Sequence, residues 1–274
     1  MKTYVATPAD INQKWYLVDA DGKTIGEELE RIGYAGPEDV GKRDIHAFFE
    51  VHIEQGPILE VEDQTIGVVT DAQGLRWFDL AVTGVESHAG PTPMIRRKDA
   101  MVGAARIVDM VNQVALDNAP LACSTVGSMS VFPNSRNVIP GRVDMSIDIR
   151  HPDLEILNTM EEAVREGIKN ITDDLGLDAE LDRIFCYDPI HFDESCVSAV
   201  REAAKDCGFS MRDIVSGAGH DACYISSMSP TSMIFVPCVD GISHNEVEDA
   251  KPEWITAGGD VLLRAILEKA GHVA

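Results

Sequence analysis

Positive charge is what this chain has least of: in 274 residues, 23 Lys and Arg stand against 46 Asp and Glu, a net charge of −23. Neutralising phosphates takes concentrated Lys and Arg, so a nucleic-acid partner is not expected, and the same acidity repels an anionic membrane surface. No apolar run approaches the roughly 18 residues of a membrane span. Residues 1–16 have no apolar core behind a basic flank, so they do not read as a secretory signal. The six cysteines, Cys123, Cys186, Cys196, Cys207, Cys223 and Cys238, include no Cys-x-x-Cys pair. That argues against a structural zinc knot or a disulfide framework and makes a reducing cytoplasm the expected compartment. Internal repeats and low-complexity tracts are absent as well.

What is present is enough apolar sequence, 45% of residues, for one large or two ordinary domains. A helix is expected over residues 23–32, stopped at Gly33. In residues 48–54, Phe49, Val51 and Ile53 alternate with Glu50, His52 and Glu54. This period of two sends one set to a core and places His52 on a polar face between two carboxylates, where a cation would sit. A helix–strand return completes the first ~75 residues. From there the pattern predicts a strand at 77–83, a helix at 97–116, strands at 124–132 and 142–150, a helix N-capped by Asp153, and a strand at 181–187. That order is βαββαβ, a ferredoxin-like arrangement with two helices on one face of a four-stranded antiparallel sheet. After Pro189 the chain returns to α/β alternation: a helix at 196–207 stopped by Gly208, a buried strand at 233–236 and a final helix at 255–269. The end pieces are too small to stand alone, so residues 1–75 and 189–274 are expected to form one α/β domain interrupted by an insertion at 76–188.

The residue types suited to chemistry cluster in short segments bounded by Gly or Pro. His52 and His244 each stand beside carboxylates, and spacing alone leaves metal ligation and a local hydrogen bond both open. Arg150 ends a strand face carrying Asp144, Ser146 and Asp148; its guanidinium suits a substrate carboxylate, or a pairing with Asp148 or Asp153. Residues 87–93 form a rigid loop presenting His88, and the Gly-rich turn 216–222 presents His220. That turn lacks the spacing and the preceding strand of a dinucleotide fingerprint. A Ser216–His220–Asp221 triad is disfavoured, because three relay groups in one turn do not reach relay geometry.

Six motifs taken jointly carry a resemblance: HIEQGPILE (52–60), SHAGPTPM (87–94), PNSRNVIPG (133–141), DIR (148–150), GAGHDA (217–222) and GISHNEVE (241–248). In this order they resemble the zinc- or manganese-dependent N-carbamoyl-L-amino-acid hydrolases, allantoate amidohydrolases and β-ureidopropionases, within the wider aminoacylase and carboxypeptidase-type metallohydrolases. The resemblance implies an α/β catalytic domain with two divalent ions, cobalt or nickel being alternatives to zinc or manganese, and an inserted lid that also forms a homodimer. It implies that His52 and His244 are metal ligands, that His88 is donated across the dimer to stabilise an oxyanion, that Asn137 and Arg150 hold a small-molecule carboxylate substrate, and that Gln55 and His220 lie near it. The chemistry implied is hydrolysis of a linear ureido or amide C–N bond.

The departure from the family is equally specific. No His-x-Asp segment precedes His52, and Glu27-Glu28 lack the flanks of the family's Glu-Glu pair, which supplies a general base and a further ligand. The chain therefore reads as an incomplete di-metal hydrolase domain with its lid, and two imidazoles without carboxylate ligands should bind a metal weakly. Two alternatives remain beside the amidohydrolase: a non-catalytic, dimeric carboxylate-binding remnant, and a metallopeptidase or aminoacylase.

Overall fold

The structure is a computed structural model that describes residues 25–37 and 42–271. The chain divides into two units, residues 1–44 and 45–274. The described helix of the first unit is α1 (Ile25–Arg31). It ends where Gly33 turns left-handed at φ +74°, as expected for a helix stop. Residues 23 and 24, the expected start of this helix, lie outside the described residues.

The second unit holds two sheets with separate cores. The first combines β1 (Phe48–Ile53), β2 (Ile66–Ala72), β9 (Ile190–His191), β10 (Met211–Ser216) and β11 (Thr231–Val236). Its order is β1-β11-β2-β10, with β9 added on β2. β1 runs parallel to β11, and β10 parallel to β2, while β11 and β2 are antiparallel. Helices α2 (Ile58–Val61), α5 (Glu194–Asp206), α6 (Asp221–Ile225) and α7 (Pro252–Lys269) complete this half. All six residues of β11 are buried. Asp193 caps α5, its carboxylate accepting from the Ser195 and Cys196 N–H groups, and Gly208 closes the turn beyond it at φ +74°. β10 corrects the sequence reading, because a strand does precede the Gly-rich turn. Its residues, Met-Arg-Asp-Ile-Val-Ser, mix charged and apolar side chains and leave no regular alternation to detect.

The second sheet comprises β3 (Gly74–Thr83), β5 (Cys123–Phe132), β7 (Arg142–His151) and β8 (Asp178–Tyr187). It is antiparallel throughout, in the order β5-β7-β3-β8. Helices α3 (Ala100–Asp117) and α4 (Leu154–Leu175) cover one face. Phe78, Leu80, Ile147 and Ile149 from the sheet meet Ile107, Leu157, Met160 and Val164 from the helices, so the central strands β3 and β7 each show one apolar and one polar row. Asp153 caps α4 through the Ile156 N–H at 3.0 Å. A short ribbon, β4 (Ser87–His88) with β6 (Val138–Ile139), projects from this half.

The chain passes between the two sheets through one residue, Gln73, and returns near Pro189. The crossings touch so closely that a Cβ on Gly74 would lie 2.5 Å from Pro189 Cδ, so only glycine fits there. All six cysteines are free. Among the described residues no helix is long and apolar enough to cross a membrane.

Candidate metal centre and substrate cavity

β1 delivers Glu50 and His52 to the same strand face, and the turn after β10 brings His220 to meet them. Potential ligand atoms of the three residues all lie within 4.8 Å of one another. The His52 and His220 rings meet edge to face at 4.6 Å between centroids, and Phe235 of β11 sits against both, 6.5 Å and 5.6 Å away. Glu50 is anchored by its Oε2, which accepts the Ala222 N–H at 2.8 Å. Its Oε1 lies 3.8 Å from His220 Nδ1.

Hydrogen bonds set the tautomer of each imidazole. His52 Nδ1 faces the Ile53 carbonyl at 2.8 Å, so in the neutral ring that nitrogen carries the proton and Nε2 keeps its lone pair. Ser216 Oγ gives its own proton to the Ala218 carbonyl and lies 2.9 Å from His220 Nε2. It therefore accepts from His220 Nε2–H and leaves the Nδ1 lone pair directed toward Glu50. Holding one ring nitrogen on a fixed acceptor is how ligating histidines are oriented. Burial, reinforced by the adjacent His52, pushes the His220 pKa down to about 4. The 3.8 Å approach of Glu50 is thus no ion pair at neutral pH; it is a carboxylate beside an unprotonated imidazole. Two imidazole nitrogens and one carboxylate form a donor set that fits a divalent transition metal such as zinc.

Beside this group lies a cavity of about 850 Å³ whose lining includes Phe235, Gln55, Arg150, Gly217, Ser243 and His244. Its floor joins the loops after β1 and β11. Gln55 Nε2 donates to Ser243 Oγ at 3.1 Å, and Cys238 Sγ reaches the Gly56 carbonyl at 3.5 Å. Gly241, at φ +65°, packs so tightly that a Cβ would lie 2.7 Å from the Pro57 backbone. Gln55 and His244 also take left-handed backbones, at φ 59° and 56°, uncommon for residues with a side chain. His244 is exposed, its N–H donating to Glu248 Oε2 at 3.2 Å, and it is not a member of the Glu50–His52–His220 group. Hydrogen bonds from the Ser243 hydroxyl and the His244 backbone hold the Glu248 carboxyl below its ordinary pKa.

Arg150, which lines the cavity, is paired with Asp148. Its Nε and Nη2 grip Asp148, and its Nη1 donates to the Gly217 carbonyl at 2.6 Å. The Asp148 hydrogen bond raises the guanidinium pKa against the cost of burial. His88 and Asn137 lie together on the β4–β6 ribbon, where the Ala89 N–H donates to the Asn137 carbonyl at 2.9 Å. Both are exposed, and neither lines the cavity.

Sequence reasoning set Glu50 and Glu54 beside His52 without separating them. Glu54 instead turns back onto α2, accepting from the Ile58 and Leu59 N–H groups at 2.9 and 2.8 Å. The signal for Glu50 was its place two residues before His52 on one strand face. Nothing in the linear pattern brought His220 to them.

The model of peptidase family M20/M25/M40 matches residues 22–268. An N-carbamoyl-L-amino-acid amidohydrolase of Rhizobium meliloti is 49% identical over 252 residues, 92% of this chain and 61% of that protein. A hydantoinase/carbamoylase family amidase from Burkholderia multivorans superposes with a TM-score of 0.86 at 64% identity, over 92% of this chain and 61% of that one. AtUAH in complex with (S)-hydroxyglycine superposes with a TM-score of 0.78 at 31% identity, over 92% and 62% of the respective chains. This chain thus spans about three fifths of the length of the relatives it matches. Family match, identity and fold agree: the chain belongs to peptidase family M20/M25/M40.

Proposed function

We propose that this chain carries the lid and a large part of the active site of a metal-dependent amidohydrolase that cleaves a linear C–N bond in N-carbamoyl-amino-acid or related ureido substrates. The observation that carries the reading is the Glu50–His52–His220 group, with its two imidazoles held in ligating tautomers beside a cavity containing Arg150. The names of the relatives support the substrate class, and the hydroxyglycine complex of AtUAH shows a small carboxylate in a related protein.

Glu50, His52 and His220 would hold one divalent ion, and His244 would serve a second position in the two-ion arrangement of the family. Such an ion, zinc or manganese with cobalt or nickel as alternatives, supplies Lewis acidity and lowers the pKa of water. Arg150 and Asn137 hold the substrate carboxylate, and Gln55 orients the scissile group from the cavity floor. The Arg150 guanidinium is largely committed to Asp148 and Gly217, so it offers the carboxylate one edge. His88 Nδ1 accepts the Gly90 N–H at 3.1 Å, which puts the proton of the neutral ring on Nε2 and makes that atom a donor for a developing oxyanion. Because the ribbon bearing His88 and Asn137 stands away from the cavity of its own chain, these residues act on a second copy, in a homodimer formed through the lid. Residues 76–188 are that lid, and 1–75 with 189–274 belong to the catalytic domain.

The test is metal content per chain after loading with zinc and extensive dialysis, paired with ammonia release from an N-carbamoyl amino acid. Retention of about one ion or more, lost on His220→Ala, is expected. No retained ion together with no metal-dependent ammonia release would refute the proposal.

A further inference from the structure

Gln73, the single residue between the two sheets, is 7% exposed. Its side-chain nitrogen donates to the Leu121 carbonyl at 2.8 Å, but its Oε1 is buried without any hydrogen-bond partner. Buried acceptors are almost always satisfied, and an orphan destabilises the fold that keeps it. A structural role explains the nitrogen and leaves the oxygen unexplained.

The position of this oxygen suggests its use. Gln73 lines both the 850 Å³ cavity and an adjoining one of about 230 Å³, together with Cys123, Arg150 and Gly217. Gly217 borders Oε1: the amide oxygen is the nearest atom that a Cβ on this glycine would meet, at an ordinary contact distance of 3.9 Å. The Gln73 backbone N–H is fixed on the Ser216 carbonyl at 2.9 Å. Ser216 is the residue whose hydroxyl orients His220, so the amide is tied through one residue to the candidate metal centre.

We infer that Gln73 forms a substrate subsite that accepts a hydrogen bond from a neutral N–H donor, the terminal NH2 of a ureido group. The inference rests on the function proposed above and names the residue that separates ureido from simple acyl substrates. The acceptor carries no formal charge, and the carboxylate in the smaller cavity's lining, Asp148, is consumed by Arg150. An ammonium group would find no unpaired carboxylate there, whereas an amide NH2 finds its complement. Oε1 is screened from solvent in this structure, so the donor reaches it by entering the cavity and shifting this wall slightly.

The experiment compares N-carbamoylglycine with N-acetylglycine, which carries CH3 in place of NH2, by calorimetric titration of the full zinc-loaded chain and of Gln73→Met and Gln73→Glu. Wild type should favour the carbamoyl compound on the order of tenfold to a hundredfold. Gln73→Met, which removes the orphan acceptor along with the hydrogen bond to the Leu121 carbonyl, should erase that preference while lowering Tm only slightly, and Gln73→Glu, which keeps an acceptor, should retain part of it. A Gln73→Met variant that still discriminates, or that loses Tm and binding of both ligands together, would overturn the role of Gln73 while leaving the proposed function intact. Wild type binding both ligands equally would do the same. Wild type binding neither would count against the proposed function itself, and the subsite would fall with it.

Discussion

The sheet of β3, β5, β7 and β8 and the sheet built around β2 and β11 bury their apolar surface in different ways. β7 alternates residue by residue, with Val143, Met145, Ile147 and Ile149 buried and the intervening side chains facing water. β11 is buried along its whole length, between helices and the strands on either side. A one-faced sheet tolerates polar side chains along an entire face. A two-faced sheet pushes them to its ends and edges, which is where Glu50, His52 and the loops of the cavity lie. In this chain the first arrangement makes a platform, and the second concentrates donor atoms.

Paired core deletions should break this comparison most strongly. Phe78 and Phe235 are both essentially inaccessible, so Phe78→Ala and Phe235→Ala should each cost about 3–5 kcal/mol in urea unfolding. Only Phe235→Ala should also impair zinc retention, because Phe235 packs against both candidate ligand rings. Equal zinc loss in Phe78→Ala would mean that the two cores are not energetically separable. Next in size, Ser216→Ala removes the acceptor that fixes His220 and should weaken zinc binding about 10- to 100-fold, read by competition with a chelator. Unchanged affinity would deny Ser216 any part in orienting the ring.

The smallest effects sharpen the comparison at the helix caps. Asp153→Ala in α4 and Asp193→Ala in α5 should each cost about 1 kcal/mol. The Asp193 cap carries an added pH dependence. A hydrogen bond from the Ser195 hydroxyl, followed by backbone N–H groups, lowers its pKa from the ordinary 3.8. Its folded value lies below its unfolded one, so its contribution is complete above about pH 4 and disappears as pH falls through the lowered value. The urea midpoints of wild type and Asp193→Ala should therefore differ at pH 7 and approach one another in acid; a gap that does not narrow as pH falls below 3.8 would contradict the cap.

The one-faced sheet was almost entirely legible in the sequence, because alternation reports a wet face. Its strands were placed correctly and merely run longer, β3 beginning at Gly74 and β8 at Asp178. The helix expected from 97 begins at Ala100, where Asp99 accepts the Met101 and Val102 N–H groups. β10 went unseen, because its six residues mix charged and apolar side chains without a period of two. At the site, His52 and its flanking carboxylates were visible, but the meeting of His220 with Glu50 depends on a long-range packing of β10 beside β2 that no local pattern encodes. The Gln73 side chain carried no signal at all, since an orphaned acceptor exists only once the chain around it has closed.

A final consequence concerns the bonds that join the loops after β1 and β11. These strands are parallel and far apart in sequence, so no hairpin turn exists to set which residue stands opposite which. One end is fixed by the Phe48 N–H on the Pro230 carbonyl, and the other by the Glu54 N–H on the Val236 carbonyl. Beyond that end come the Cys238–Gly56 and Gln55–Ser243 contacts and the close seat of Gly241 on Pro57. Together they act as a clasp on register: a slip of one residue would turn His52 to the opposite face of the sheet and carry Glu50 with it. The segments that read as binding loops thus also decide, during folding, which way the strand bearing Glu50 and His52 faces.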